Sequence, residues 1–271
     1  MVQIPTSTYE AYNAWGGDSL YPGGALHVGA TGTDQGVQVS YDRPYDSETG
    51  AGQFFIREVA IVRFLERYGY PVGYTTDASV DGDPGQLSGA RAVMDVGHSE
   101  YWSARQERAF AQARDRGTSL LFISSDTMAW RIRYASAGAT SSQAGERGHR
   151  IIAYKEFVAL EPGGAAVTGL FPNGGAELSG SAYDGCITQR VEVRGPPVYR
   201  YYDWRPTPSL APAWLFAGTG VTAATRIPGI VGYELDERAP ATPAGTQVLG
   251  GAAEVPCMSE TEPSPIHGTS S

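Results

Sequence analysis

Apolar and polar residues follow two periods along this chain, and the switches between them mark its elements. Over residues 53–68 the apolar positions Phe55, Val59, Val62 and Leu65 recur at helical spacing, flanked by Phe54, Ile61 and Phe64. Arg57, Arg63, Glu66 and Arg67 take the other side, and Gly69 supplies the stop. Residues 103–116 predict a second helix, with Ser103 as its N-cap and Gly117 closing it. Strand patterns surround these helices: an alternating one at 37–41, another at 72–76, and buried apolar ones at 91–96 and 119–123. A further helix is predicted around 127–133. Residues 2–8 read as an extended start, followed by a Trp-Gly-Gly turn at 15–17 and a glycine-rich loop from Pro22 to Gly36.

Strand, helix, strand, helix, strand at this rhythm predicts an α/β fold, a mostly parallel sheet covered by helices. Function in such sheets collects where strand C-termini run into loops. Residues 97–102 and 124–126 are two such places. Beyond Gly138 the pattern becomes irregular and β-rich, with short strands around 151–154, 191–193 and 230–234 among Pro and Gly. Residues 1–253 are expected to form one domain, and residues 254–271 a loosely held tail.

Composition narrows the function classes. The 271 residues carry a net charge of −9, which argues against a nucleic-acid partner because phosphate binding needs a basic face. The longest apolar runs are strand-sized, far short of the roughly 20 residues a membrane helix requires. The N-terminus shows no basic stretch followed by an apolar one, so a cytoplasmic protein is expected. Cys186 and Cys257 form no CxxC; two free thiols are the expectation, a disulfide between them the other arrangement. Lys155 is the only lysine, and the arginine dominance is read as genomic composition with no functional weight. An acidic, loop-rich protein of this size is also a candidate homo-oligomer.

Candidate chemistry sits in three places. Gly97-His98-Ser99-Glu100-Tyr101-Trp102 follows a buried strand and can present an imidazole and a carboxylate to one cleft, the groups that hydrolytic sites use as ligands, acids or bases. Equally, Glu100 could cap the helix near Ser103 while His98 packs in a turn. Tyr9, Tyr12, Trp15 and Tyr21 surround a Gly-Gly turn, an arrangement common in cores and sugar-facing surfaces. Tyrosinate ligation there requires a metal such as Fe(III), since the phenol holds its proton to a pH of about 10. Glu234 and Asp236 alternate on one predicted strand face, where one could serve as a base and solvation of both is the common outcome. Asp42 and Arg43 read as a loop-fixing pair. P-loop, GxGxxG, GxSxG and HExxH signatures are absent, and neither cysteine sits in a nucleophile elbow.

Taken in order, Ala11-Tyr12-Asn13, Trp15-Gly16-Gly17, Ser19-Leu20-Tyr21, Ser40-Tyr41-Asp42-Arg43-Pro44-Tyr45, Gly97-His98-Ser99-Glu100-Tyr101-Trp102-Ser103, Trp130-Arg131-Ile132-Arg133, Gly218-Thr219-Gly220 and Gly232-Tyr233-Glu234 resemble the C-terminal domain of the N,N-dimethylformamidase large (beta) subunit and its bacterial relatives. The match spans roughly residues 4–240. The resemblance implies a glutamine-amidotransferase-like (flavodoxin-like) sheet and one Fe(III) per chain, held by two tyrosinates and a carboxylate. Carried over by motif, the ligands are Tyr12, Tyr21 and Glu100, with Tyr41 or Tyr45 as the fallback second tyrosine. His98 would sit beside the metal-bound water or the substrate, and Glu234 would take the water's proton. Where relatives usually show Gly-Ala-Asn, this chain has Ser124-Ser125-Asp126. Asp126 adds a negative charge and, when ionised, cannot donate to an oxyanion, so it either raises its own pKa or signals a reaction other than simple amide hydrolysis. Three functions follow: an iron-dependent hydrolase acting on the C–N bond of a small amide-like or natural-product substrate; the same scaffold performing cyclisation or elimination in secondary metabolism; and a non-catalytic binding module.

Overall fold

The structure is a computed structural model that describes residues 1–17, 19–21, 35–46, 50, 52–135, 149–188, 190–191, 198–207, 212, 214–252 and 255–259. The chain opens with β1 (Val2–Ile4) and α1 (Thr6–Tyr12), followed by β2 (Gln38–Ser40). A π-helical turn at Phe54–Glu58 leads into α2 (Val59–Arg67), and then come β3 (Tyr74–Thr76) and α3 (Asp77–Gly82). Next are β4 (Ala92–His98), β5 (Tyr101–Ser103), α4 (Ala104–Asp115), β6 (Ser119–Ser125), β7 (Trp130–Tyr134), β8 (Arg150–Ile152) and β9 (Gly169–Leu170). After α5 (Ala176–Ser179) the chain is β-rich: β10 (Ala182–Thr188), β11 (Arg190–Val191), β12 (Val198–Tyr199), β13 (Tyr202–Pro206), β14 (Ile227–Val231), β15 (Glu234–Glu237), β16 (Gly250–Gly251) and β17 (Cys257–Ser259).

The centre is a parallel sheet in the order β3-β1-β4-β6. Alternation along β4 sends Val93 to one face, where it packs with Trp102, Phe110, Val80 and Leu87, and Met94 and Val96 to the other, with Leu65 and Ile61 of α2. Helices therefore flank both faces, as the strand–helix rhythm predicts. Trp102 and Phe110 are fully buried, each contributing roughly 2–3 kcal/mol of transfer free energy. A second, mixed sheet runs β2-β8-β7-β5 with β9 against β7, and smaller antiparallel sheets, β15-β10-β17, β14-β13-β16 and β11-β12, complete the C-terminal part.

The local helix signals hold. Ser103 caps α4 through a capping box with Gln106. Gly69 takes φ +68, and the bonds from the Gly69 and Tyr70 amides to the Glu66 and Leu65 carbonyls close α2 as a Schellman motif.

Four expectations are corrected. Residues 6–8 are helical rather than extended, because the Asp77 carboxylate accepts from the Ser7 amide at 2.8 Å and from the Thr6 hydroxyl, capping α1 from seventy residues away. The segment 127–133 is a turn followed by strand β7: Trp130, Ile132 and Tyr134 alternate with arginines, and the strand pairs with β5. The strand at 119–123 is not buried. It ends the sheet order among the described residues and leaves Leu121 and Ile123 exposed on one side. Cys186 is disulfide-bonded rather than a free thiol, and the chain has only one other cysteine, Cys257. Most of the glycine-rich loop (22–34) and residues 260–271 of the tail lie outside the described residues, as do 192–193 of a predicted strand.

Candidate active site

Gly97 sits at the C-terminal end of β4 with φ +81, a conformation that favours glycine. A Cβ there would collide with the Glu58 carboxylate, so the residue is fixed by close approach as well. The chain then bends sharply, placing His98 and Glu100 at the mouth of the sheet. The turn that follows β6 is stitched onto this segment: the Met128 amide donates to the Ser99 carbonyl at 3.1 Å, and the Trp130 amide to the Glu100 carbonyl at 2.9 Å. Asp126 and Met128 of that turn hold left-handed conformations, φ 52 and 60, and such strain gathers at functional sites.

Tyr12, at the end of α1, and Tyr21 converge on Glu100 from the other side. The Tyr12 hydroxyl donates to Glu100 Oε2 at 2.8 Å, and the Tyr21 hydroxyl lies 2.8 Å from Oε1. The two phenol oxygens are 2.7 Å apart, and the Tyr101 hydroxyl donates to Tyr21 at 2.7 Å. Three phenolic protons thus face four close O···O approaches, a cluster with more oxygen than its own protons satisfy. His98 Nε2 lies 3.3 Å from Glu100 Oε2 and 3.1 Å from Asp126 Oδ2, ion-pair distances whose directions leave that nitrogen without a hydrogen bond.

Charges in this centre are strongly coupled. Burial raises both Tyr12 and Tyr21 well above the usual phenol range, and the Glu100 charge raises them further. Burial alone would lower His98, but Asp126 and Glu100 override it and hold the imidazolium up to about 10. Burial would likewise raise Glu100, yet His98, Lys155 and the Tyr12 hydroxyl bring it down to about 2. Glu234, first residue of β15, is pushed up to about 9 by burial and then by the Asp126 charge.

A cavity of about 400 Å³ opens on this cluster, lined by Tyr12, Glu100, Asp126 and Glu234 together with Trp130 and Lys155, among others. The site thus brings together Tyr12, Tyr21, Glu100, His98, Asp126 and Glu234. It excludes the fallback tyrosines: the Tyr41 hydroxyl pairs with Ser7, and Tyr45 is partly exposed near Glu10. Helix capping falls to Ser103, leaving the Glu100 carboxylate to the tyrosines. Asp236 is exposed, and Arg43 pairs with buried Glu10 to fix its loop. Two participants escape sequence reasoning. Tyr101 stands in the quoted motif without a role. Lys155, buried with φ 49, sets its Nζ 3.4 Å from the centre of the Tyr21 ring. Its signal was its isolation as the chain's one lysine.

A parallel sheet flanked by helices, with a buried phenol–carboxylate–imidazole centre at its strand ends, defines an α/β protein of enzyme type. The profile of the family described as N,N-dimethylformamidase beta subunit-like, C-terminal, matches residues 1–269, and the chain belongs to that family. Membership implies an amidohydrolase-type enzyme. A search of curated proteins finds no significant match. No helix among the described residues is long and apolar enough to cross a membrane.

Proposed function

We propose that this chain is an iron-dependent hydrolase that cleaves the C–N bond of a small amide-like substrate, on a sheet of glutamine-amidotransferase-like type. The observation carrying this reading is the oxygen cluster of Tyr12, Tyr21 and Glu100, crowded to 2.7–2.8 Å and short of protons. The donors assigned to the metal in this reading are the Tyr12 and Tyr21 phenols and the Glu100 carboxylate. All are hard oxygen ligands, which fit Fe(III). Phenols raised this far keep their protons unless a strongly polarising cation displaces them. Fe(III) held there would polarise a carbonyl oxygen, acidify water and offset the negative charge that keeps Glu234 protonated.

This chain's own residues do the rest. His98, cationic between Asp126 and Glu100, stabilises the developing oxyanion and protonates the departing nitrogen from Nε2. The Asp126 carboxylate, its Oδ2 3.1 Å from that nitrogen, helps keep the ring charged. Glu234, once ionised, takes the proton of the attacking water. Trp130 and Leu170 add apolar surface to the cavity lining. Iron-loaded protein offered a panel of small amides is expected to release free amine or ammonia with matching carboxylate, and His98→Ala to lose that release by at least a hundredfold. Turnover to an isomer or cyclised product with no carboxylate would show that the same site performs non-hydrolytic chemistry.

A further inference from the structure

We propose that the Asp126–Glu234 side of the cavity takes a substrate nitrogen group that is both positively charged and rich in N–H donors, an amidinium, rather than a tertiary amide nitrogen. This rests on the reading above only in treating the cavity as the substrate site. Asp126 is 5% exposed, and its Oδ1 has no hydrogen-bond partner, although its Oδ2 faces His98 at 3.1 Å. A buried acceptor left open is costly, and a ligand donor recovers that cost on binding. The lining adds a second reason: among the described residues it holds the carboxyl groups of Glu100, Asp126, Glu156 and Glu234 against the ammonium of Lys155. Lys155 directs its ammonium to the Tyr21 ring and toward the Leu20 carbonyl, both 3.4 Å away, so its charge acts on the tyrosine side. Glu234, the first residue of β15, lines the same cavity as Asp126.

An N–H-bearing cation answers all of this at once. A planar amidinium presents N–H donors along two directions, matching one oxygen of Asp126 and the Glu234 carboxylate, and charge-assisted bonds are the stronger kind. A dialkylated nitrogen offers no donor and would bury both acceptors unmatched. Sites built to hydrogen-bond an N–H reject analogues that lack it far more strongly than apolar pockets reject size variants.

The test is calorimetric titration of the iron-loaded and metal-free protein with four near-isosteric probes: acetamidinium, acetamide, acetate and N,N-dimethylacetamide. Iron content is measured on the same samples. Acetamidinium is expected to bind at least tenfold more tightly than acetamide, with N,N-dimethylacetamide weakest among the non-anionic probes. Asp126→Asn should cut acetamidinium affinity about tenfold while leaving acetamide unchanged or improved. Glu234→Gln gives a second test at the neighbouring acceptor, with a smaller loss confined to acetamidinium. Tighter binding of acetate or N,N-dimethylacetamide would overturn the proposal. So would an unchanged acetamidinium preference in both folded variants, or no acetamidinium binding by the wild type. An acetamidinium preference in protein that binds no iron would leave this inference standing and remove the metal. Bound iron without that preference would do the reverse.

Discussion

Asp95 lies on β4 with its side chain fully buried, and three donors hold it: Gln3 Nε2 and Ser99 Oγ to Oδ1, and Ser124 Oγ to Oδ2, each at 2.8 Å. Burial outweighs those bonds and raises its carboxyl from 3.8 to about 7. The folded state therefore grips this proton more tightly than the unfolded chain does. That contribution to stability is whole below pH about 4 and is lost as pH climbs through about 7. A shift of about three units at 1.36 kcal/mol each amounts to about 4 kcal/mol of stability lost across that window. Asp95→Asn removes the titration with little change of shape. Its Oδ1 keeps Gln3 and Ser99, and its Nδ2 donates to Ser124 Oγ, which turns its own proton to Thr127, 2.7 Å away. Urea unfolding at intervals from pH 4 to 8 should show the two proteins nearly equal at pH 4. The variant should then gain on the wild type with rising pH, reaching about 2–4 kcal/mol at pH 8 after allowing about 1 kcal/mol for altered hydrogen bonds. Because the comparison subtracts the groups that titrate independently of Asp95, a difference that stays flat across this range would refute the reasoning.

Gly97→Ala places a Cβ against the Glu58 carboxylate at φ +81 and should cost more than about 3 kcal/mol or abolish soluble expression, whereas Gly89→Ala, also at positive φ but with open space, should cost about 1 kcal/mol in the same urea assay. Ser103→Ala loses the α4 capping box and the bond to Asp81, and should lower unfolding free energy by about 1–2 kcal/mol. Reducing the Cys186 disulfide with dithiothreitol should lower stability by about 2–5 kcal/mol, read as a fall in thermal midpoint that iodoacetamide trapping ties to thiol release. A disulfide also fits an oxidising compartment better than a reducing cytoplasm.

What the chain announced locally, it kept. The stops at Gly69 and Gly117 and the Ser103 cap depend on neighbours a few residues away, and each stands where the pattern put it. Phe55, by contrast, expected on the apolar face with Val59, Val62 and Leu65, lies in the π-helical turn and is 70% exposed. What depends on distant partners stayed hidden. Thr6 begins a helix because Asp77 caps it, and β7 is a strand because β5 lies beside it. The residue pattern at 130–134 carried the period of two, but the strand–helix rhythm made a third helix look due. The site shows the same division. The motif around His98 and Glu100 was legible as chemistry at a strand end, and family resemblance singled out Tyr12 and Tyr21. Lys155 reaches the Tyr21 ring across more than a hundred residues, and the repulsion between Asp126 and Glu234 exists only where the turn after β6 meets the start of β15.

The most direct test of the account is the iron content and visible absorption of aerobically purified protein, taken for the wild type, Tyr12→Phe and Glu100→Ala together. The account predicts about one iron per wild-type chain, with a broad visible tyrosinate-to-Fe(III) band that weakens or vanishes in both variants. Wild-type protein that remains colourless and metal-free after reconstitution with iron would contradict it.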